Sequence, residues 1–277
     1  MSLHLTRGAL AARLTIFAAL LLTALVMLVP VYYMAVVSNE PNQSNLSAVW
    51  FHGFHFFHNI RLALTSHTYL RELLNSFIMS GGIAFLDVAI AGSAGYVLAT
   101  MRFPGRRILF ATIVATLALS PVAVVIPVYV MMFKIHWLNT YQGLIIPGMA
   151  SAFGVFLVRQ FAAGIPRQVI DAARLDRASE FRILLSVIMP LIRPALLTLF
   201  LLDFLAQWDN LLWPLVVASN PNYWTVAVGL ASFSGEHGTL YSLLAATALV
   251  SAIPPFLLFV ALQRYYVSGL TLGGLKG

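Results

Sequence analysis

The sequence contains no cysteine, which excludes disulfides and thiolate metal sites. Charge is nearly as scarce. Only 9% of the 277 residues are charged, and just nine are acidic, whereas a soluble domain carries about a quarter charged residues. So few charges cannot cover a water-facing surface. The phosphate-cradling pattern G-x-x-x-x-G-K-[ST] is also missing, so this polypeptide lacks the usual nucleotide site. No convergent set of nucleophile, base and metal ligands occurs, and no catalytic, cofactor-binding or metal-binding residue is assigned. What is abundant is hydrocarbon, with 60% hydrophobic residues and a mean hydropathy of +0.89. An all-α integral membrane protein is the economical reading.

A helix needs roughly 20 apolar residues to cross the hydrocarbon core. Six runs qualify as transmembrane helices: 14–37, 75–100, 108–133, 143–161, 195–217 and 243–264. A signal-peptide core is typically about 7–15 apolar residues ahead of a small-residue cleavage site. The first run is longer, follows Arg7 and Arg13, and has no convincing site after it, so it reads as an uncleaved anchor. An even number of spans puts both termini on one side. That side receives thirteen basic residues and the other only Arg61, Arg71 and Lys134. The positive-inside rule makes both termini cytoplasmic and accounts for the high pI without nucleic-acid binding. Pro121, Pro127, Pro147 and the Pro254-Pro255 pair fall inside spans, where kinks are expected. Gly92-Ser93-Ala94-Gly95 would let another helix approach closely. The organisation predicted is a first anchor with an external segment over 1–68, a membrane core over 69–264, and a cytoplasmic tail over 265–277.

The densest polar stretch lies between the fourth and fifth spans. From Arg159 to Arg193 it holds six of the 16 basic residues and three of the nine acidic ones. Pro166 suits the first turn of a helix. Arg167, Asp171 and Arg174 then follow at i, i+4 and i+7 as a stripe of opposite charges, while Val169, Ala172, Ala173 and Asp176 lie on another, mostly small face. A second helix is predicted with Phe181, Leu184, Leu185 and Ile188 on its apolar face, running to Pro190 and Pro194. Two short helices with a bend near Arg177 would join a transmembrane helix directly.

The run Asp171-Ala172-Ala173-x-x-Asp176-x-Ala178, followed by Ile188-x-Pro190-Leu191-x-x-Pro194, resembles the EAA loop of ABC-importer permeases. Here that loop covers 164–194. Arg102-Phe-Pro-Gly-Arg-Arg, Leu138-Asn-Thr-Tyr-x-Gly143-Leu, Ser151-Ala-Phe-Gly-Val-Phe-Leu, Trp213-Pro-Leu and Gln263-Arg-x-x-x-x-Gly-Leu-Thr are similar to the carbohydrate-uptake branch of that family, which serves maltose-type oligosaccharides and glycerol 3-phosphate. The resemblance runs from about residue 14 to the end. It implies the type-1 importer permease fold in a bacterial plasma (inner) membrane. The partners it implies are a second permease subunit, an extracytoplasmic solute-binding protein for a sugar-like solute, and two cytosolic ATPase subunits that carry ATP and Mg. Asp171, Ala172, Ala173, Asp176, Arg177, Ala178 and Pro190 would form the surface coupled to the ATPase. Two positions depart from the family pattern: Asp171 stands for its leading Glu, and Arg177 for its loop Gly. A Gly at such a bend usually supplies positive φ. Either the bend here is made without a left-handed residue, or the docking surface differs in detail.

Other polar positions stay open between two readings. Gln207, Trp208, Asp209, Asn210 and Trp213 fit the wall of a solute path, since sugars are held by aromatic faces with amide and carboxylate hydrogen bonds. They fit equally an interfacial aromatic belt with helix-to-helix hydrogen bonds. Asp87 and Asp203 could relay protons in a gradient-driven secondary transporter, the rival reading, or could form a buried contact between subunits. Asn222, Gly235 and Glu236 lie in a long external segment that faces the binding protein in the resembling family, though a plain connector would look similar. His52, His55 and His58 would spread over about 120° of a helix, too wide for one metal site.

Overall fold

Three stretches of helix have the length and hydropathy of membrane crossings: Arg13–Val37, Tyr69–Thr100 and Tyr241–Tyr265. Three more candidates are bent pairs. Arg106–Ala118 meets Pro121–Lys134 at 102°, Tyr141–Gly148 meets Ala152–Ala163 at 47°, and Glu180–Leu191 meets Arg193–Trp208 at 79°. Counting each pair once gives up to six spans by length and composition. The computed structural model describes residues 7–41, 53–65, 68–235 and 238–274. Its helices begin with α1 (Arg7–Val37), α2 (Phe56–Thr65), α3 (Tyr69–Thr100), α4 (Arg106–Ala115) and α5 (Pro121–Lys134). They continue with α6 (Tyr141–Ile145), α7 (Ala152–Ala163), α8 (Arg167–Leu175), α9 (Glu180–Ile183) and α10 (Met189–Leu191). The last are α11 (Arg193–Trp208), α12 (Leu212–Val217), α13 (Val226–Ser232), α14 (Tyr241–Ser251) and α15 (Ile253–Gly274). Among the described residues the only strands are β1 (Ser234–Gly235) and β2 (Gly238–Thr239), paired antiparallel.

The chain divides into two units. The first takes in residues 1–66 and 232–250. Its α1 is an unbroken apolar run, and none of the most apolar part of that helix is buried within the protein. Side chains such as Phe17, Leu20 and Met27 stand exposed, an apolar surface suited to lipid or to another apolar helix rather than to water. Beyond α1 the backbone is pinned by the buried Asn59, whose amide donates to Ser38 O at 3.0 Å and Glu40 O at 3.1 Å.

The second unit takes in 67–231 and 251–277. Its spine is α3, packed along α7 and α11, with α11 also against α15. One apolar cluster joins Tyr96 and Leu98 of α3, Val155 and Val158 of α7, and Leu196 and Leu199 of α11 to Ile170, Ile183 and Ile188. A second gathers Met79, Ile83, Leu144 and Val217 near the opposite end of α3. The small-residue stretch acts as predicted at one position. A Cβ on Gly95 would lie 2.7 Å from Val158 Cγ1 and 2.9 Å from the Arg159 backbone nitrogen. At Gly92 it would meet the flexible end of Met189 at 3.1 Å and Leu196 Cδ2 at an ordinary 3.8 Å.

The breaks go further than the expected kinks. Pro121 does not bend a continuous helix; it starts α5, after Leu119 and Ser120 adopt extended backbone with ψ of 132° and 127°. A residue before proline is pushed away from helical ψ, so the predicted span over 108–133 becomes two helices. Pro127 sits inside α5 without ending it. The run predicted as one helix over 195–217 also breaks, because α11 ends at Trp208 and α12 begins at Leu212. Asn210 takes over the chain locally. It donates to Gln207 Oε1 at 2.9 Å and accepts from the Trp213 backbone N–H at 3.3 Å, the side-chain competition that ends helices.

Gly95→Ala should force α3 and α7 apart against backbone. Overpacking of this kind costs about 1–3 kcal/mol. Thermal unfolding of the solubilised assembly should report a lowered midpoint for Gly95→Ala and little change for Gly92→Ala.

Candidate functional site

The loop 164–194 forms the two short helices and the bend that the residues suggest, but Ala173, expected on one face with Val169, Ala172 and Asp176, packs inward, and the register of the second helix differs. Helix α8 is amphipathic around three directions. Ile170, 3% exposed, plugs into the cluster on α3 and α7, with Ala173 packed beside it. Arg167, Asp171 and Arg174 share a second direction, and Arg174 reaches Asp171 at 3.6 Å. Val169, Ala172, Leu175 and Asp176 remain exposed on the third, where Leu175 at 84% is an apolar side chain left in the open.

The bend after α8 answers the question posed by Arg177. Its φ is 57°, so the left-handed residue is kept although glycine is not. The Ala178 N–H donates to Ala173 O at 3.1 Å and the Arg177 N–H to Arg174 O at 3.0 Å. Those two bonds are the 6→1 and 5→2 pair of a Schellman turn. A side chain in this conformation costs roughly 1–2 kcal/mol. The turn carries that strain here.

Past the bend, Ser179 Oγ accepts from the Arg182 backbone N–H at 3.3 Å and caps α9. The predicted apolar face is wrong for two of its four members. Phe181 and Leu185 are exposed, whereas Ile183, Leu184 and Ile188 are buried. Leu184–Ile188 forms a π turn, which places Ile183 and Ile188 on one side at a spacing of five. The widening comes directly before Pro190, whose ring would crowd the carbonyl four residues back in an ordinary helix. The chain then turns at Ile192, with φ of −96° and ψ of 12°, into α11.

One acidic side chain ties these parts together. Glu180 Oε1 accepts from Arg174 Nε at 2.8 Å and Oε2 from the Tyr96 hydroxyl at 2.7 Å. Helix α8, helix α9 and the end of α3 therefore share one carboxylate. In this polar loop the Arg174 guanidinium, and after it the Tyr96 hydroxyl, hold the Glu180 carboxyl below its ordinary range. Sequence reasoning did not pair Glu180 with Tyr96. The available signal was an acidic residue one position after the α9 cap, facing a tyrosine near the end of a span.

The candidate path residues separate. Gln207, Asn210 and Trp213 line a cavity of about 200 Å³ walled by Ile83, Val124 and Pro147. Trp213 donates its indole N–H to Gly143 O at 3.2 Å. Trp208 belongs to the core, 5% exposed and stacked on Phe204 at 5.5 Å. Asp209 is exposed at the end of α11 and does not line the cavity. Asp87 accepts from Ser151 N at 2.6 Å and Ser151 Oγ at 2.7 Å at the start of α7, and its side chain also hydrogen-bonds with Asp203. That contact lies within this chain and is not the contact between subunits weighed against a relay. Asp203 keeps one buried oxygen without a hydrogen-bond partner among the described residues.

Asn222 sits in a tied-down part of its segment. Its carbonyl and that of Trp224 accept from the buried Asn75 amide at 2.9 and 2.8 Å, and the Tyr141 hydroxyl donates to Asn75 Oδ1 at 2.7 Å. Gly235 lies in β1, and Glu236 lies outside the described residues. Asn75 was not anticipated; an asparagine opening an apolar run was its signal.

Comparison with known proteins points the same way. The family described as "Binding-protein-dependent transport system inner membrane component" matches residues 91–271. The arabinooligosaccharides transport system permease protein AraQ of Halalkalibacterium halodurans is 35% identical over 203 residues, 73% of each chain. The sn-glycerol-3-phosphate transport system permease protein UgpE of Pectobacterium atrosepticum is 32% identical over 228 residues, 82% of this chain and 78% of that one. In fold, a chain of a bacterial ABC transporter involved in import of the acidic polysaccharide alginate aligns with a TM-score of 0.79 at 23% identity, covering 96% of this chain and all of that one.

Hydrogen bonds to charged groups contribute about 1.5–3 kcal/mol. Glu180→Gln and Tyr96→Phe should therefore each slow transport by the intact assembly, and the double variant should lose less than the two singles combined. Additive losses in that cycle would show that the two groups act separately. Arg177→Gly should leave the turn in place and relieve about 1 kcal/mol of strain. Slower hydrogen exchange at Ala178 and Ser179 is the readout.

Proposed function

We infer function from family: this chain belongs to the binding-protein-dependent transport system inner membrane components, multi-pass subunits of ABC importers. Its reading here is a permease subunit for a sugar or sugar-like solute. The names of the oligosaccharide and glycerol-phosphate relatives support that class. Six spans with both termini in the cytoplasm fit the basic-residue asymmetry. On this reading ATP and Mg are bound by two separate cytosolic ATPase subunits, and a second permease completes the pore. An extracytoplasmic binding protein delivers the solute.

The observation that carries the coupling role is the geometry of α8. Its exposed third face, with Val169, Ala172 and Leu175, is free to seat in a groove of the ATPase. Its Ile170 and the Arg174–Glu180–Tyr96 connection fasten it to the bundle. A push on α8 is then delivered to α3 through Tyr96 and to α11 through the π turn and Ile192. Gln207, Asn210 and Trp213 supply one amide-and-aromatic wall for the solute. A proton-coupled mechanism is not favoured, because the family match and the named relatives are binding-protein-dependent importer subunits.

The natural chain has no cysteine, so Ala172→Cys introduces a single thiol. In the assembled transporter, that thiol should crosslink to the ATP-hydrolysing subunit, with a yield that changes between nucleotide-free and ATP-bound states. Absence of any such crosslink from an active assembly would overturn the coupling role.

A further inference from the structure

Five arginines and one aspartate surround a cavity of about 800 Å³ where the end of α3, the loop before α4, the end of α7 and the second face of α8 converge. They are Arg102, Arg106, Arg159, Arg167, Arg174 and Asp171. Arg174 is already paired with Glu180 and Asp171, and Arg106 donates to Met101 O at 2.8 Å. Arg102, Arg159 and Arg167 have no ion-pair partner among the described residues. Arg159 is the most constrained. Its guanidinium carbon lies 3.9 Å above the Phe110 ring, and its buried Nε has no acceptor. A buried charged donor without an acceptor is costly and calls for a ligand or ion.

We propose that this cavity is a binding site for a phosphate-type anion, held by Arg102, Arg159 and Arg167. Planar guanidinium groups match phosphate oxygens in pairs. The cavity face of α8 carries Arg167, Asp171 and Arg174, whereas the face free for an ATPase carries Val169, Ala172 and Leu175; Asp171, which the sequence motif assigns to the coupling surface, borders the cavity, while Arg102, Arg159 and Arg167 lie outside that motif. The source of the phosphate favoured by the surroundings is a phospholipid headgroup. An adjoining recess of about 480 Å³ shares Arg102, Arg106 and Arg167 and is lined besides by Phe103, Gly105, Arg107 and Ile108. Ile108 is 74% exposed, an apolar surface on which an acyl chain can lie. The site rests on the fold alone, so its failure would leave the coupling role untouched, and loss of the Ala172 crosslink would leave this site untouched.

The test uses the complete transporter in lipid nanodiscs with two probes, phosphatidylglycerol in a phosphatidylcholine background and inorganic phosphate. Attraction of an anionic headgroup is worth about 1 kcal/mol per arginine, so Arg102→Gln with Arg159→Gln should weaken phosphatidylglycerol binding roughly 30-fold. Arg102→Lys with Arg159→Lys should restore most of it. Bound lipid counted by native mass spectrometry reads the effect. Binding that inorganic phosphate does not displace identifies the headgroup, and displacement by phosphate identifies a free anion. If the glutamine pair does not assemble, the wild-type transporter decides alone. Protection of Arg102 and Arg159 from phenylglyoxal by either probe supports the site. Equal binding by wild type and the glutamine pair, or no protection by either probe, overturns it.

Discussion

The Glu180 carboxylate is the constraint on which the loop depends. Helix α8 has nine residues, and helices shorter than about 12–15 residues are marginal alone in water. Something outside it must hold its position. Ile170 supplies burial, which is strong but non-directional. Glu180 supplies direction, because Arg174 and Tyr96 approach its two oxygens from different elements. Burial keeps α8 against the bundle, and the carboxylate fixes how it is turned there.

A second constraint is the way the spine tolerates close packing while its neighbours break. Helix α3 runs 32 residues without interruption and contacts α7 tightly enough that Gly95 has no room for a side chain. Around it, three candidate spans are bent by 47° to 102°. Each bend exposes backbone groups that the hydrocarbon core would penalise. At the bend before α7 the structure answers with a local acceptor, Ser151 Oγ, which accepts from Gly154 N, while α5 and α11 begin without a side-chain cap. A straight element flanked by bent ones is a frame in which motion at a bend need not disturb the spine.

Much of this was legible in the residues, and the misses have physical causes. Hydropathy located the apolar runs, and charge with proline spacing located α8, its bend and the turn into α11. The break at Ser120–Pro121 was underestimated because a proline reads as a kink until the preceding residue is seen to extend. The face of the second loop helix was misjudged at Phe181 and Leu185 because periodicity assumed 3.6 residues per turn. A π turn is invisible to that template. Trp208 and Trp213 looked alike in sequence, five positions apart, yet one stacks in the core and the other lines a cavity. The end of α11 at Trp208 separates them. Long-range pairs such as Tyr96 with Glu180, and Asn75 with the Asn222 and Trp224 carbonyls, were missed because a local signal marks one residue without naming the distant partner.

The strained turn at Arg177 bears on how the loop could have diverged from the glycine expected there. The two Schellman bonds and the packed Ala173 and Ala178 persist, so the backbone, rather than the residue, defines the bend. A long cationic side chain in place of hydrogen then alters only what the exposed surface presents. On the adjacent face, Arg174 serves two environments, the Glu180 carboxylate and the arginine-lined cavity. An anion in that cavity and the Glu180 carboxylate therefore act on the same guanidinium. The charge state of the cavity and the orientation of α8 are linked through that one side chain, so an occupant there acts on the joint as well as on the arginines that surround it.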